Sequence, residues 1–384
     1  MQSHRTDNAG TAAVEAMALA SPPATSGIEL TVVAPTFNEH DNVEILVARL
    51  DAALGGIEWE VVFVDDDSPD GTADKVRALA RSDPRVRCLQ RIGRRGLATA
   101  VIEGMLASSA PYLAVIDADL QHDETVLPQM LASIKAEDLD IVIGSRHAAG
   151  GSIGDWDRRR ATISNVAARL ARLVVAADLT DPMSGFFMMA RPAFERSVRR
   201  LSGQGFKILL DLFASTPVAF RYSEVPYVFG RRLHGESKLD SFVVWEYLML
   251  LTDKLVGRFV PARFIFFAVI GGLGVVVHFT TLYLGLKLVA FPAAQAIATF
   301  VAMTSNFVLN NMLTYRDRRL SGWRFVTGLV SFYAVCSLGA VANVGIASAA
   351  FAEHYTWWAA GLAGVAVGVV WNYAVSSVFT WRRK

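Results

Sequence analysis

Tyr112-Leu-Ala-Val-Ile-Asp-Ala-Asp-Leu-Gln-His122 is the stretch on which the fold turns. Residues 112–116 form an apolar run of strand length, and two carboxylates follow at once, one residue apart. Asp117 and Asp119 cannot both be buried cheaply without a cation nearby. At a strand's end they make a hard-oxygen site suited to Mg2+ or Mn2+ against phosphate oxygens, with the Gln121 amide as a neutral oxygen within reach. Asp123 reads differently, as a cap for the helix that follows.

The same pattern recurs on both sides. Apolar runs at 28–34, 60–64, 86–89 and 140–143 are dense in Val, Ile and Leu and read as further buried strands. Segments at 40–54, 72–81, 96–108 and 124–135 read as the helices between them, and Pro69-Asp70-Gly71-Thr72 supplies a turn and a cap for the second. Strand–helix alternation predicts an α/β domain with a mainly parallel, doubly wound sheet, which binds ligands at the carboxyl ends of its strands. Acids stand at those ends. Asp65, Asp66, Asp67 and Asp70 follow the run at 60–64, and Pro35-Thr36-Phe37-Asn38-Glu39 closes the first. An aromatic and a carboxylate there suit a nucleobase; the acid cluster suits sugar hydroxyls or a base, or is a solvated turn.

Composition divides the chain. Of 384 residues, 53% are hydrophobic and 19% charged, against about 25% charged in an average soluble domain. From Arg263 onward, nine basic residues and two acids give a net of +7; the first 262 residues hold 28 basic and 34 acidic groups, a net of −6. The overall +1 argues against a nucleic-acid binder working by bulk electrostatics. Two cysteines, Cys88 and Cys336, leave no disulfide framework or multi-thiolate zinc site. Residues 1–27, rich in Ala, Ser, Thr and Pro, are expected to be a disordered tail ahead of a first domain at 28–239.

The basic remainder is hydrophobic. Apolar stretches near 264–286, 293–313, 326–350 and 357–379 are each long enough to cross a hydrocarbon core of about 30 Å, and none shows a polar face. They predict an all-α transmembrane domain at 263–384. Arg316, Arg318, Arg319 and Arg324 lie between the second and third spans, and Arg382, Arg383 and Lys384 follow the fourth. The positive-inside rule then places the first domain and the C-terminus in the cytoplasm. The domain also repeats. Shifted by 66 residues, Asn306-Phe-Val-Leu-Asn-Asn-Met-Leu-Thr-Tyr-Arg316 falls on Asn372-Tyr-Ala-Val-Ser-Ser-Val-Phe-Thr-Trp-Arg382, as two helical hairpins in one orientation would. Residues 240–262, dense in apolar residues from Phe242 to Leu251, read as an interfacial helix and linker, with 161–176 as a partner.

Taken together, the acidic strand ends resemble the nucleotide-sugar half of glycosyltransferase family 2. Gly144-Ser-Arg146, Gly150-Gly-Ser152, Trp156 to Ser164, Asp181-Pro-Met-Ser-Gly-Phe-Phe187 and Arg232-Leu-His-Gly-Glu-Ser-Lys238 follow in order. That series resembles the polyprenol-phosphate glycosyltransferase (dolichol-phosphate mannosyltransferase) subfamily over about residues 28–255. The last four helices resemble the GtrA-like membrane family. The resemblance implies a GT-A, Rossmann-like catalytic domain. It implies that Pro35, Phe37, Glu39, Val64 and Asp66 face the nucleotide, with Phe37 standing where relatives often have Tyr. Asp117 and Ala118 would line the donor site, Asp119 and Gln121 would hold Mg2+ or Mn2+, and Lys238 would also meet the donor. Arg146, Arg160, Ser164 and Arg232 match positions around the phosphates, Arg232 being the residue expected to receive the lipid phosphate.

The reaction so implied is inverting transfer of a hexose from a nucleotide diphosphate to a membrane polyprenyl phosphate, giving a β-linked product. GDP-mannose is the first expectation for the donor and UDP-glucose the second. A phosphate monoester is mostly dianionic at neutral pH, so no general base is assigned. Processive polysaccharide synthases share the first domain but usually carry Gln-x-x-Arg-Trp, and no such string occurs here. A different reading makes the membrane half a lipid-linked-sugar flippase or an anchor, with Asn306, Asn310, Asn311, His278 and Asn372 as its polar cues.

Overall fold

The computed structural model describes residues 27–152, 167, 169–175, 177–203, 205, 207–230, 241–257 and 259–382. The expected tail, Arg160, Ser164, Arg232, Lys238 and most of the proposed partner helix at 161–176 lie outside those residues. The chain divides into two compact units, Met1–Lys238 and Leu239–Lys384.

Seven strands form the sheet of the first unit: β1 Leu30–Thr36, β2 Trp59–Asp65, β3 Val86–Gln90, β4 Tyr112–Val115, β5 Ile141–Ser145, β6 Phe187–Ala190 and β7 Tyr222–Pro226. Their order is β3-β2-β1-β4-β6-β5-β7. The pairs β1/β2, β1/β4, β2/β3 and β5/β7 are parallel, and β6 runs antiparallel between β4 and β5. The sheet is mainly parallel, as expected, with one strand reversed. One reversed strand closes the gap between β4 and β5 and leaves the carboxyl ends of the other six on one edge.

Every residue of β2 is buried, as a near-continuous apolar run covered on both faces requires. Helix α1, His40–Ala53, sends Val43, Leu46 and Leu50 inward, a spacing that keeps one stripe on the sheet. Helix α2 is Thr72–Ala80 and α3 is Leu97–Leu106. A methyl group added at Gly104 of α3 would strike Val33 and come within 2.8 Å of Val64. Only a glycine lets that helix lie so close to β1 and β2. After β4, a 3-10 turn capped by Asp123, whose carboxylate accepts from Thr125 N, leads into α4, Leu127–Ala136. Helices α5, Arg191–Val198, and α6, Ile208–Ser215, follow β6.

The second unit opens with α7, Ser241–Val256. Four longer helices follow: α8 Ala262–Gly285, α9 Phe291–Leu309, α10 Trp323–Ala352 and α11 Trp357–Phe379. The last turn of α9 widens into a π-helix over Asn310–Thr314. All four are long and apolar enough to cross a membrane, and Val269, Leu273, Val276 and Phe279 are among the large apolar side chains left on the outside of α8. Helices α8 and α9 pack as one hairpin and α10 and α11 as another; α9 also touches α10, and α8 touches α11.

The 66-residue repeat is structural. A side chain at Gly274 would strike the Asn306 amide, and one at Gly339 would strike the Asn372 amide. Asn306 and Asn372 are repeat mates that press on a glycine of the preceding helix. Tyr315 and Trp381, also mates, stack face to face with centroids 4.1 Å apart and planes 4° from parallel. Two more pairs of mates, Asn310 with Ser376 and Thr314 with Thr380, are buried. The Oδ1 atoms of Asn306, Asn310 and Asn372 and the hydroxyls of Thr314 and Ser376 have no hydrogen-bond partner among the described residues. Contrary to the expectation that no span has a polar face, each hairpin carries a narrow polar ladder along its second helix, at positions i, i+4 and i+8.

Candidate active site

The loops leaving β1, β2 and β4 meet at the sheet's carboxyl edge, and each contains a non-glycine residue in the left-handed region: Asn38 (φ 58°), Asp67 (φ 58°) and Leu120 (φ 61°). For a leucine this conformation carries strain that the surrounding bonds must hold. Those bonds account for much of the acidic cluster. Asp65 is fully buried and accepts from Thr36 Oγ1, Ser68 N and Ser68 Oγ. Asp70 accepts from Thr72 N and Oγ1 and from His40 N, bonds that outweigh desolvation and hold its carboxyl below the usual range. Asp67 accepts from Gly93 N at 3.1 Å. These three carboxylates shape the loops, as a turn would require.

Asp66 occupies a different setting. Its two oxygens accept from Arg91 Nη1 and Gly96 N, both at 2.7 Å. Burial nevertheless pushes its carboxyl up, more than the Gly96 amide and the Arg91 guanidinium pull it down. Beside it lie Pro35, in register with the buried Val64, and the partly exposed Phe37, whose ring carries the Arg95 guanidinium 4.2 Å from its centroid. Glu39 accepts from Asn42 Nδ2 at 2.7 Å. The residues expected to face the nucleotide therefore share the edge formed by β1 and β2.

The turn after β4 places Asp117 and Asp119 half-exposed on either side of the buried Ala118. His122 locks this turn: its Nδ1 accepts from Asp117 N at 3.2 Å, and its ring stacks on Phe186 and meets the edges of Tyr227 and Phe229. Burial holds the imidazole down at about 4, so it is neutral at physiological pH. Gly185 lets β6 approach the Asp117 carboxylate, which a methyl group there would meet at 3.2 Å. Asp119 accepts from Gln121 N, and the Gln121 side-chain amide donates to Gly230 O at 3.1 Å.

Among the described residues no cluster of three or more His, Cys, Asp or Glu could enclose a metal ion. One carboxylate and one oriented amide nonetheless fit an ion such as Mg2+, which keeps several waters and substrate phosphate oxygens in its shell.

Arg146, just beyond β5, is clamped by a carboxylate that spacing alone does not reveal. Its Nε and Nη2 donate to Asp181 at 2.7 and 2.9 Å, and its backbone N–H reaches the same side chain at 3.3 Å. Arg146 is 9% exposed and Asp181 1%. Burial alone would push the Asp181 carboxyl up; the forked bonds outweigh it and hold it below the usual range. Two further groups were not singled out by the sequence. Burial, reinforced by Arg146, lowers the Lys207 ammonium to about 8 while Asp117 and Asp181 pull it back up; its Nζ donates to Met183 O. The Tyr227 hydroxyl is buried without a partner among the described residues, within electrostatic reach of Arg146, Asp181, Asp117 and Asp119. The signal for Lys207 was faint, a lone cation opening an apolar helix.

Residues 31–198 match the model of Glycosyl transferase family 2, and residues 266–381 that of GtrA/DPMS, transmembrane domain. A dolichol-phosphate mannosyltransferase of Pyrococcus furiosus is 33% identical over 361 residues, covering 92% of this chain and 99% of that one. One from Saccharomyces cerevisiae is 37% identical over 249 residues, 62% of this chain and 92% of that one. Glucosyl-3-phosphoglycerate synthase of Mycobacterium tuberculosis, crystallised with Mn2+, UDP and glucosyl-3-phosphoglycerate, aligns at TM-score 0.43 and 18% identity over 61% of this chain and 80% of that one. The acidic turn after β4 and the four apolar helices thus belong to one alignment rather than two, and the chain belongs to glycosyl transferase family 2, as a glycosyltransferase built onto a GtrA/DPMS transmembrane domain.

Proposed function

We propose that this glycosyltransferase moves mannose from GDP-mannose to a polyprenyl phosphate, with inversion, at the cytoplasmic face of the membrane. The observation that carries the reading is the relative named for mannosyl transfer to dolichol phosphate, whose likeness runs through the catalytic and membrane regions alike.

The geometry supports it. Pro35, Phe37, Glu39, Val64 and Asp66 surround the space offered to the nucleotide, and Asp117 and Ala118 border the sugar. Asp119 and Gln121 would hold Mg2+ or Mn2+, which when bound would neutralise the charge developing on the leaving diphosphate. Arg146, fixed by Asp181, and Lys207, mostly protonated at neutral pH, add positive charge that needs no reorganisation as the reaction proceeds. The acceptor phosphate attacks as a dianion, so its own oxygen supplies the nucleophile and no side chain has to remove a proton. In-line attack from the face opposite the diphosphate turns an α-linked donor into a β-linked product. His122, neutral and packed among rings, orients the turn and transfers no proton. Arg160, Ser164, Arg232 and Lys238 are assigned to the phosphates and the donor by resemblance alone, and α7 to the membrane interface by its apolar content.

Incubating the purified full chain with GDP-mannose, UDP-glucose and UDP-galactose in turn, with a polyprenyl phosphate and Mg2+ or Mn2+, tests the reading. A mannosylated lipid from GDP-mannose alone is expected. Transfer only from a UDP-sugar would replace the donor, and no transfer to the lipid phosphate from any of them would overturn the proposal.

A further inference from the structure

A groove of about 620 Å3 opens in the membrane unit where α10 begins and α11 ends, lined by Leu320, Arg324, Thr327, Ser331, Thr380 and Arg382, with Gly328 and Phe379 beside them. Its composition is unusual for a cleft between membrane helices. Two guanidiniums face it, and among the described residues neither is paired with a carboxylate. Three hydroxyls stand between them: Ser331 Oγ and Thr380 Oγ1 lie 3.1 Å apart, and Thr327 Oγ1 donates to the Arg324 carbonyl. One turn deeper along α11, the buried Ser376 hydroxyl is without a partner among the described residues. Phe379, 70% exposed, gives the groove an apolar flank.

Cations alone at this position would satisfy the positive-inside rule and need no cleft. A cleft with forked donors at its mouth, hydroxyls inside and an exposed aromatic alongside matches an amphiphile with an oxyanion head and an apolar tail. We infer that the groove at the α10–α11 ends binds the phosphate headgroup of a membrane lipid, with Arg324 and Arg382 on the phosphate oxygens, the one proton left over by the Ser331–Thr380 hydroxyl pair as a further donor, and the tail along Phe379. The shared chemistry is an anionic phosphate: a prenyl monophosphate or an anionic phospholipid diester supplies it equally in kind, and the dianionic monoester more strongly. The inference does not depend on the sugar-transfer reading, because it involves neither the donor nor the residues around β4.

Native mass spectrometry of the full chain in detergent, titrated with farnesyl phosphate, short-chain phosphatidylglycerol or short-chain phosphatidylcholine, measures the site directly. The wild-type chain is expected to retain one anionic headgroup that Arg324→Gln/Arg382→Gln loses, with affinity lowered at least 30-fold. Arg319→Gln, which removes a charge from the same loop but not from the groove, is expected to change affinity less than threefold. Farnesyl phosphate alone being retained identifies a monoester site; phosphatidylglycerol being retained as well identifies a structural anionic lipid. Circular dichroism reports whether the double variant is folded. If it is not, Arg382→Gln alone takes its place, with an expected loss of about tenfold. Equal losses in Arg319→Gln and the groove variants, retention of phosphatidylcholine on a par with the anionic lipids, or full displacement by equimolar inorganic phosphate would overturn the inference.

Discussion

Replacing Asp181 by Ala removes the carboxylate that receives two short bonds from Arg146, at 2.7 and 2.9 Å, in a pair that is almost wholly buried. The guanidinium then keeps its desolvation cost without its counter-charge. Breaking a buried pair from one side costs about 3–5 kcal/mol. In a domain of this size each kcal/mol moves the midpoint by roughly 2–4 °C, so a fall of about 10 °C is expected. Thermal unfolding of the full chain in detergent, followed by protease accessibility of the catalytic unit, reads the shift. The companion variant, Arg146→Leu/Asp181→Leu, removes both charges together and should recover most of the lost stability, because two well-packed apolar groups replace the pair. Mannosyl transfer should stay absent in both. If the single variant melts within about 2 °C of wild type, or the double variant melts below the single one, the pair is not the buried clamp described. If the double variant transfers sugar normally, Arg146 has no part in the chemistry.

Asp119→Ala should abolish metal-dependent transfer, because the ion loses its carboxylate; near-normal turnover at saturating Mn2+ would remove Asp119 from the metal site. His122, held near 4 in the fold against an unfolded value of 6.5, binds fewer protons folded than unfolded between those limits, so stability is lost as pH falls through them. From pH 7.5 to 5 this amounts to about 2 kcal/mol. In His122→Phe the acid-induced drop in melting midpoint should shrink by several degrees, and an unchanged drop would assign the acid sensitivity elsewhere. A periplasm-only reporter fused after Lys384 should stay silent if the C-terminus is cytoplasmic, as the positive-inside rule predicts from the basic loops; a strong signal would reverse the proposed topology.

What could be read in advance follows from how local each signal is. Strands β1 to β5 are apolar runs bounded by turns or acids, and their pattern survives without tertiary context. Strand β7 is an edge strand in which only Val225 is buried, so it lacks an apolar run. Strand β6 is four residues long, and its reversed direction is set by the space between β4 and β5, which no spacing encodes. In the candidate site, Asp117, Asp119 and Gln121 were legible because they sit together in one turn. The clamp on Arg146 comes from a carboxylate 35 residues further on. The depressed Lys207 and the neutral His122 arise from burial, a property of the assembled domain. The acid cluster after β2 looked uniformly available in sequence. Three of its four carboxylates instead hold the backbone of the loops, and Asp66 pairs with Arg91.

The stacked rings of Tyr315 and Trp381 give the membrane unit the logic of a homodimer written in one chain. Each hairpin offers the other the same patch of surface, as partners in a two-fold assembly do, and the position on the axis meets its own counterpart. A side chain placed there must be self-complementary, so an aromatic in one half selects a flat partner in the other. Away from the axis no such rule applies, and there the halves have drifted: an asparagine at 310 answers a serine at 376. The mouth of the second hairpin carries Arg324 and Arg382 around a groove, and the sequence repeats that pair 66 residues earlier as Arg258 and Arg316. Divergence off the axis leaves each copy of a duplicated scaffold free to change, while the seam keeps the two copies in register.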